Sequence, residues 1–543
     1  MLIRKKMPRP HAPGEPLLHD DHPRPVTRRQ MLAAGLTSAP ALVMAPAWLA
    51  ALLKPGRANA ALASDMQALL PNGQCNLSAP ASGIPVVCFD LAGGANLIGS
   101  EVIVGLKGGQ ANFLSTAAYG KMGVPGNMVP TANSAFVSSA LGLLWHSDGA
   151  ILRGILSKAT TPATALGTNG AVMAAMSQND TNTNPHNPMY GLAEAGGKGS
   201  LLSLIGSQST VSGGNSQSPM YMIQPALQPT RIASPGDATA LVSTGGASAD
   251  PVDVAVLQAQ ARITGGSTPY DQTNTAGSEF AGALSPPQGA TPGTLLYPTD
   301  PTLDVQLKNQ LRCAYVQSAN TADVFGNPST LDPTQDPLIS GGASPIFTAA
   351  DFKDSDIAAT ASVMKLVVDG FAAAGTITLG GYDYHDSTRA TGETRNFKAG
   401  QMIGAVLEYA QRKKAPVMIY VFSDGSLTSS SMVDTSTAGR DKLAWQGDNQ
   451  SVASTFFLVY SPKGRPQPRN GAASQQIGWF TSDGSVDPTS NPAANSVNQL
   501  VETVILNYLG LQGKEGMFNT FFPTQGLGST SAQAALTAFQ PIV

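Results

Sequence analysis

Short apolar runs separated by helically spaced segments mark out the chain. Ile84-Pro85-Val86-Val87-Cys88-Phe89-Asp90-Leu91 is apolar and rich in β-branched residues, and Ala92-Gly93-Gly94-Ala95-Asn96 follows it. A run this short, closed by glycines, predicts a buried strand and a tight loop. Residues 375–380, 415–422 and 454–460 predict three further strands. Helical spacing falls between and after them. It runs from Asp354 to Ala373, from Asn396 to Arg412 (Phe397, Ile403, Val406, Leu407 and Ala410 on one side), and from Asn498 to Leu509. Helices alternating with strands predict an α/β fold, a mostly parallel central sheet flanked by helices.

Other segments predict less regular structure. Ala135 to Trp145 is apolar at helical spacing after a cap at Asn133 or Ser134, which predicts a helix. A short strand or turn is expected from Gly149 to Leu152, and a helix from Asn169 to Met176. Leu303, Leu307, Leu311 and Tyr315 predict a helix over 302–319. Residues 207–300, rich in Ser, Gly, Thr, Pro, Asn and Gln, read as a long polar insertion.

Composition narrows the class. With 543 residues, length alone allows three to four domains, or one large α/β domain with insertions. Hydrophobic residues make up 42% and charged residues only 12%, which excludes a disordered polyelectrolyte and a coiled coil. Of 32 basic and 35 acidic residues, nine and three fall in the first sixty, so the head carries +6 and the remainder −9. A basic head on an acidic body argues against nucleic-acid binding.

That head reads as an address. Arg28-Arg29 precedes an apolar run from Leu32 to Leu53, and Ala58-Asn59-Ala60 supplies small residues at the cleavage positions. These features in this order predict a twin-arginine export signal over 1–60, cleaved after Ala60, leaving one large α/β domain over 61–543. The translocase of that route is the partner implied during export, and the periplasm or exterior the destination; an uncleaved run would serve as a membrane anchor. No partner of the mature chain is legible. Cys75, Cys88 and Cys313 allow at most one internal bridge, with Cys88 in an apolar run expected to be buried and inert.

Ligands of parallel sheets collect beyond the carboxyl ends of the strands. Asp90 lies at one such end, Gly381-Tyr382-Asp383-Tyr384-His385 follows a second, and Ser423-Asp424-Gly425-Ser426 follows a third. Carboxylates with an imidazole are the donors for one divalent ion. Asp383 and His385 are alternate residues of an extended segment and face one way. An aspartate after a strand also suits a turn or cap, so Asp90 and Asp424 fit either role.

In these segments the chain resembles domain-of-unknown-function family 1501, a family of exported bacterial proteins that looks like a branch of the alkaline phosphatase and sulfatase superfamily. The resemblance rests on the twin-arginine start, Gly93-Gly94-Ala95-Asn96, Ala140-Leu141-Gly142-Leu143-Leu144-Trp145, the Gly381–His385 segment and Tyr420-Val421-Phe422-Ser423-Asp424. It spans roughly residues 84–510 and implies an alkaline-phosphatase-like fold with a metal centre. The departures are specific. Asn96 stands where the family has Asp. Ser423-Asp424-Gly425-Ser426 replaces Ser-Glu-Phe-Gly-Arg, and Gly425 stands where the superfamily has the His of Asp-His-Gly. Gly447-Asp448-Asn449 matches a later Asp-His-Gly with Asn449 for the His. Only Gly-Phe-Asp-x-His survives, with Tyr382 for Phe.

The resemblance adds Asp448 to Asp90, Asp383, His385 and Asp424 as metal-ligand candidates. Three of six histidines (His11, His19, His22) lie in the export segment, leaving His146, His186 and His385. His146 is expected to be structural and His186 to sit in a loop able to line a site. A two-zinc centre uses about three imidazoles, more than this set supplies. Thr131, Ser134 and Thr183 are nucleophile candidates with no base beside them in sequence. The expected function is therefore that of an exported envelope protein with a degenerate metal site, binding or structural, without two-metal catalysis. The alternatives are an active metal-dependent phosphate- or sulfate-ester hydrolase, and a carbohydrate- or surface-binding protein. No dinucleotide or Walker signature is present.

Overall fold

In the computed structural model, residues 82–177, 184–241 and 328–543 are described. Arg28, Arg29, Ala58 and Ala60, expected from sequence to form an export signal, together with Cys75, Cys313, Thr183, the 302–319 segment and most of the polar insertion, lie outside the described residues.

Twelve strands are present among the described residues: β1 (Val86–Gly93), β2 (Val137–Ser138), β3 (Trp145–His146), β4 (Thr168–Ala174), β5 (Leu202–Gly206), β6 (Thr230–Arg231), β7 (Ala372–Tyr382), β8 (Val417–Ser423), β9 (Leu427–Asp434), β10 (Lys442–Asp448), β11 (Ser454–Tyr460) and β12 (Gln476–Ile477). Eight form one sheet in the order β12-β4-β11-β8-β1-β7-β5-β6. Every neighbouring pair is parallel except those of β11, which runs against both β8 and β4. The architecture is thus α/β with a mostly parallel sheet. Strand β1 is central, and Asp90 lies in register with Thr378 of β7 and Phe422 of β8.

Both faces of the sheet are covered, which is why its strands read as continuous apolar runs. On one face Val87, Phe89 and Leu91 pack under helices α1 (Ala150–Lys158), α2 (Ser355–Val368) and α3 (Ala390–Lys413). Val86, Cys88, Tyr420 and Phe422 pack on the other, under helix α4 (Val497–Gly510) and the short helix Met189–Glu194. Helices α1 and α3 meet at glycine: a side-chain carbon on Gly400 would strike the Ile151 carbonyl, so the two backbones touch only because it is absent. No helix among the described residues is long and apolar enough to cross a membrane.

Three upstream expectations are corrected. Residues 135–145 form no α-helix. Asn133 caps a single turn of three residues, Ser134–Phe136, and a β2–β3 hairpin follows. Gly142 at φ 81 breaks the helical path, and the buried Leu141, Leu143 and Trp145 alternate with period two. The segment from Asn169 is strand β4, its seven residues all buried and paired with β11 and β12; tertiary pairing decided a run too short for periodicity to classify. Residues from Ala150 are helix, not strand. The carboxylate of Glu101, 50 positions away, accepts the Ile151 amide at 2.8 Å at the first turn, a partner no local pattern reveals.

Candidate rim site

The Gly93-Gly94 turn after β1 is the hub of the carboxyl rim. Gly93 has φ 132, and a side-chain carbon there would strike the backbone of Asp383. A glycine is required where the β1 and β7 ends approach this closely. The same position on Gly94 would lie 3.8 Å from Asp448 Oδ1 and 3.5 Å from the Ser426 amide. The ends of β1, β7, β8 and β10 therefore converge here.

Four successive amides of this turn are occupied from within. Gly93 N donates to Asp424 Oδ1 at 2.8 Å and Gly94 N to the Tyr382 carbonyl at 3.3 Å. Ala95 N donates to Ser423 Oγ at 2.9 Å and Asn96 N to the Tyr384 hydroxyl at 3.1 Å. A glycine-rich loop that cradles an oxyanion needs such amides pointing outward; these point into the protein.

The five ligand candidates divide into three environments. Asp383, His385 and Asp448 are exposed and offer one donor atom each within 4.8 Å of one another. His385 Nε2 lies 2.7 Å from Asp383 Oδ1 and 3.8 Å from Asp448 Oδ1. Asp424 is 2% exposed and braces the Gly93 amide, while its own carbonyl accepts from Asn184 Nδ2 at 2.7 Å. Asp90 is fully buried on the α4 face, in the row of Val86 and Cys88. Its Oδ2 accepts the Ser216 amide at 2.7 Å and its Oδ1 the Ser216 hydroxyl at 3.1 Å. Burial pushes the Asp90 carboxyl up to about 7, with nearby Asp424 adding to the rise and the Ser216 amide opposing it.

Asn449 is turned to local duty: its Oδ1 accepts from Ser451 N and Oγ at 3.1 and 2.7 Å, capping a short turn. His186 is buried against Phe422, ring centroids 6.1 Å apart, and among the described residues neither of its ring nitrogens has a hydrogen-bond partner. Burial alone lowers its imidazole to about 3, so it is neutral. His146 is structural, as expected, though in strand β3 and not at a helix end; its Nε2 lies 3.1 Å from the Met128 carbonyl. Thr131 and Ser134 are exposed on the turns before β2. Ser216, Asn184 and Tyr384, which hold the site together, were not anticipated. The signal for Ser216 was Gly213-Gly214 just before it, inside a segment whose composition suggested a surface insertion.

No family model, curated protein or solved structure matches the chain.

Proposed function

We propose that the chain is an exported envelope protein that keeps an alkaline-phosphatase-like sheet around a degenerate metal site and acts by binding or as a structural component, without hydrolysing esters. One observation carries this reading: the groups that would serve a two-metal ester hydrolase are satisfied inside the protein. Asp90 is held by Ser216, Asp424 by the Gly93 amide and Asn449 by Ser451, and no outward amide remains between Gly93 and Asn96. A pair of zinc ions needs several imidazoles and convergent carboxylates. This donor set, with His385 the one imidazole at the rim among the described residues, does not fit them. The purified mature protein, supplied with zinc, manganese or calcium, is expected to turn over neither aryl phosphates nor aryl sulfates; metal-dependent turnover abolished by Asp424→Asn would overturn the reading.

The Asp383, His385 and Asp448 cluster supports a second reading, in which one divalent ion sits at the exposed rim. One imidazole and two carboxylates suit a borderline ion at an open site. Under this reading the mature protein holds one equivalent of metal, and His385→Ala loses it.

A further inference from the structure

On the α4 face the sheet around Asp90 of β1 and Thr376 and Thr378 of β7 is covered by the protein's own chain. After β5 the backbone turns at Thr210, with Gly213 N donating to the Thr210 carbonyl, and comes back over the sheet. Asn215 N then donates to Thr378 Oγ1 at 3.2 Å, and Ser216 gives both its amide and its hydroxyl to Asp90. Asn187 Nδ2 clasps the segment from the side, donating to the Ser212 carbonyl at 3.0 Å and to Thr376 Oγ1 at 3.3 Å.

Three glycines permit this seating. Gly213 takes φ 72, a left-handed conformation. A side-chain carbon on Gly206 would run into the Gly213 backbone. One on Gly214 would lie 2.7 Å from Thr376 Cγ2 and 2.9 Å from Asp90 Oδ2. The segment is tied at its ends as well as in its middle: Ser207 N donates to the Thr376 carbonyl at 2.8 Å, Asn187 N donates to the Gln217 carbonyl at 3.0 Å, and Met222 just beyond is buried in the core, while Val211 and Met220 are exposed.

We propose that residues 207–218 are a built-in plug, a strap that covers Asp90 on the α4 face of the sheet in place of a ligand and must lift before any ligand reaches that carboxylate. It presents an amide and a hydroxyl to the carboxylate, as a bound hydroxylated molecule would. The plug is independent of whether the rim holds metal.

The test is carbodiimide-driven coupling of glycine ethyl ester to carboxylates in the full mature chain, located by peptide mass mapping. Wild-type Asp90 is expected to resist coupling under conditions that modify exposed Asp383. Gly214→Val, which cannot seat, is expected to raise Asp90 coupling at least tenfold. Cys88, buried on the same face, reports global unfolding by reacting with a thiol reagent. If Gly214→Val exposes Cys88, Ser216→Ala replaces it, removing one hydroxyl and no backbone contact. Two results would overturn the proposal: wild-type Asp90 coupling as fast as Asp383, or Asp90 still protected in a variant cleaved by protease within 207–218 while Cys88 stays silent.

Discussion

Strand β10 ends in two opposite ways. At its start, Lys442 is 1% exposed and its ammonium lies 2.8 Å from Glu393 Oε1 and 3.2 Å from Asp148 Oδ2. Arg389, equally buried, donates to the same Glu393 oxygen at 3.0 Å and lies 4.4 Å from the Trp445 ring centroid. Arg153 reaches Glu393 Oε2 at 2.6 Å. At the strand's end Asp448 is 41% exposed beside His385. One end is a closed ionic network tying the β9–β10 hairpin to α1 and α3. The other is an open group of charges in water. Interior charges hold the hairpin, and rim charges gather where solvent screens them.

The comparison breaks first at Glu393. Removing it leaves Arg389 and Lys442 buried without their shared anion, which costs on the order of 3–5 kcal/mol. Urea denaturation of Glu393→Ala should show a loss of that size; a loss under about 1 kcal/mol would remove the distinction between the two ends. Asp90 should come next, through pH. Its folded pKa lies above its unfolded one, so the native state holds the proton more tightly. Stability from this group is therefore intact below about pH 4 and falls as pH rises toward 7. Each tenfold difference in proton affinity between the folded and unfolded chain is worth about 1.4 kcal/mol at most. The melting-temperature advantage of Asp90→Asn over wild type should thus grow between pH 5 and pH 8, and a flat difference would show that Asp90 is ionised without penalty. Smallest is the rim: His385→Ala and Asp448→Asn should each move stability by no more than about 0.5 kcal/mol. A larger drop from either would make the rim part of the scaffold.

The C-terminal half was largely legible in the sequence. Continuous apolar runs became β7, β8 and β11, and the helical patterns became α2, α3 and α4, because a sheet covered on both faces imposes those patterns locally. The rim was legible to the same extent: Asp383, His385 and Asp424 follow strand ends. What was hidden depended on partners remote in sequence. Helix α1 begins at a carboxylate 50 residues upstream, and β4 is a strand only because β11 and β12 flank it. Asp90 was expected to point to the rim with the others. Its parity with Val86 and Cys88 sends it to the α4 face instead, where Ser216, 126 positions away, covers it.

Elemental analysis of the full chain, purified and desalted, is the decisive measurement for the degenerate-site proposal. Carboxylates already engaged by Ser216 and Gly93 predict less than one equivalent of zinc or manganese per chain. Two tightly held equivalents would contradict that account.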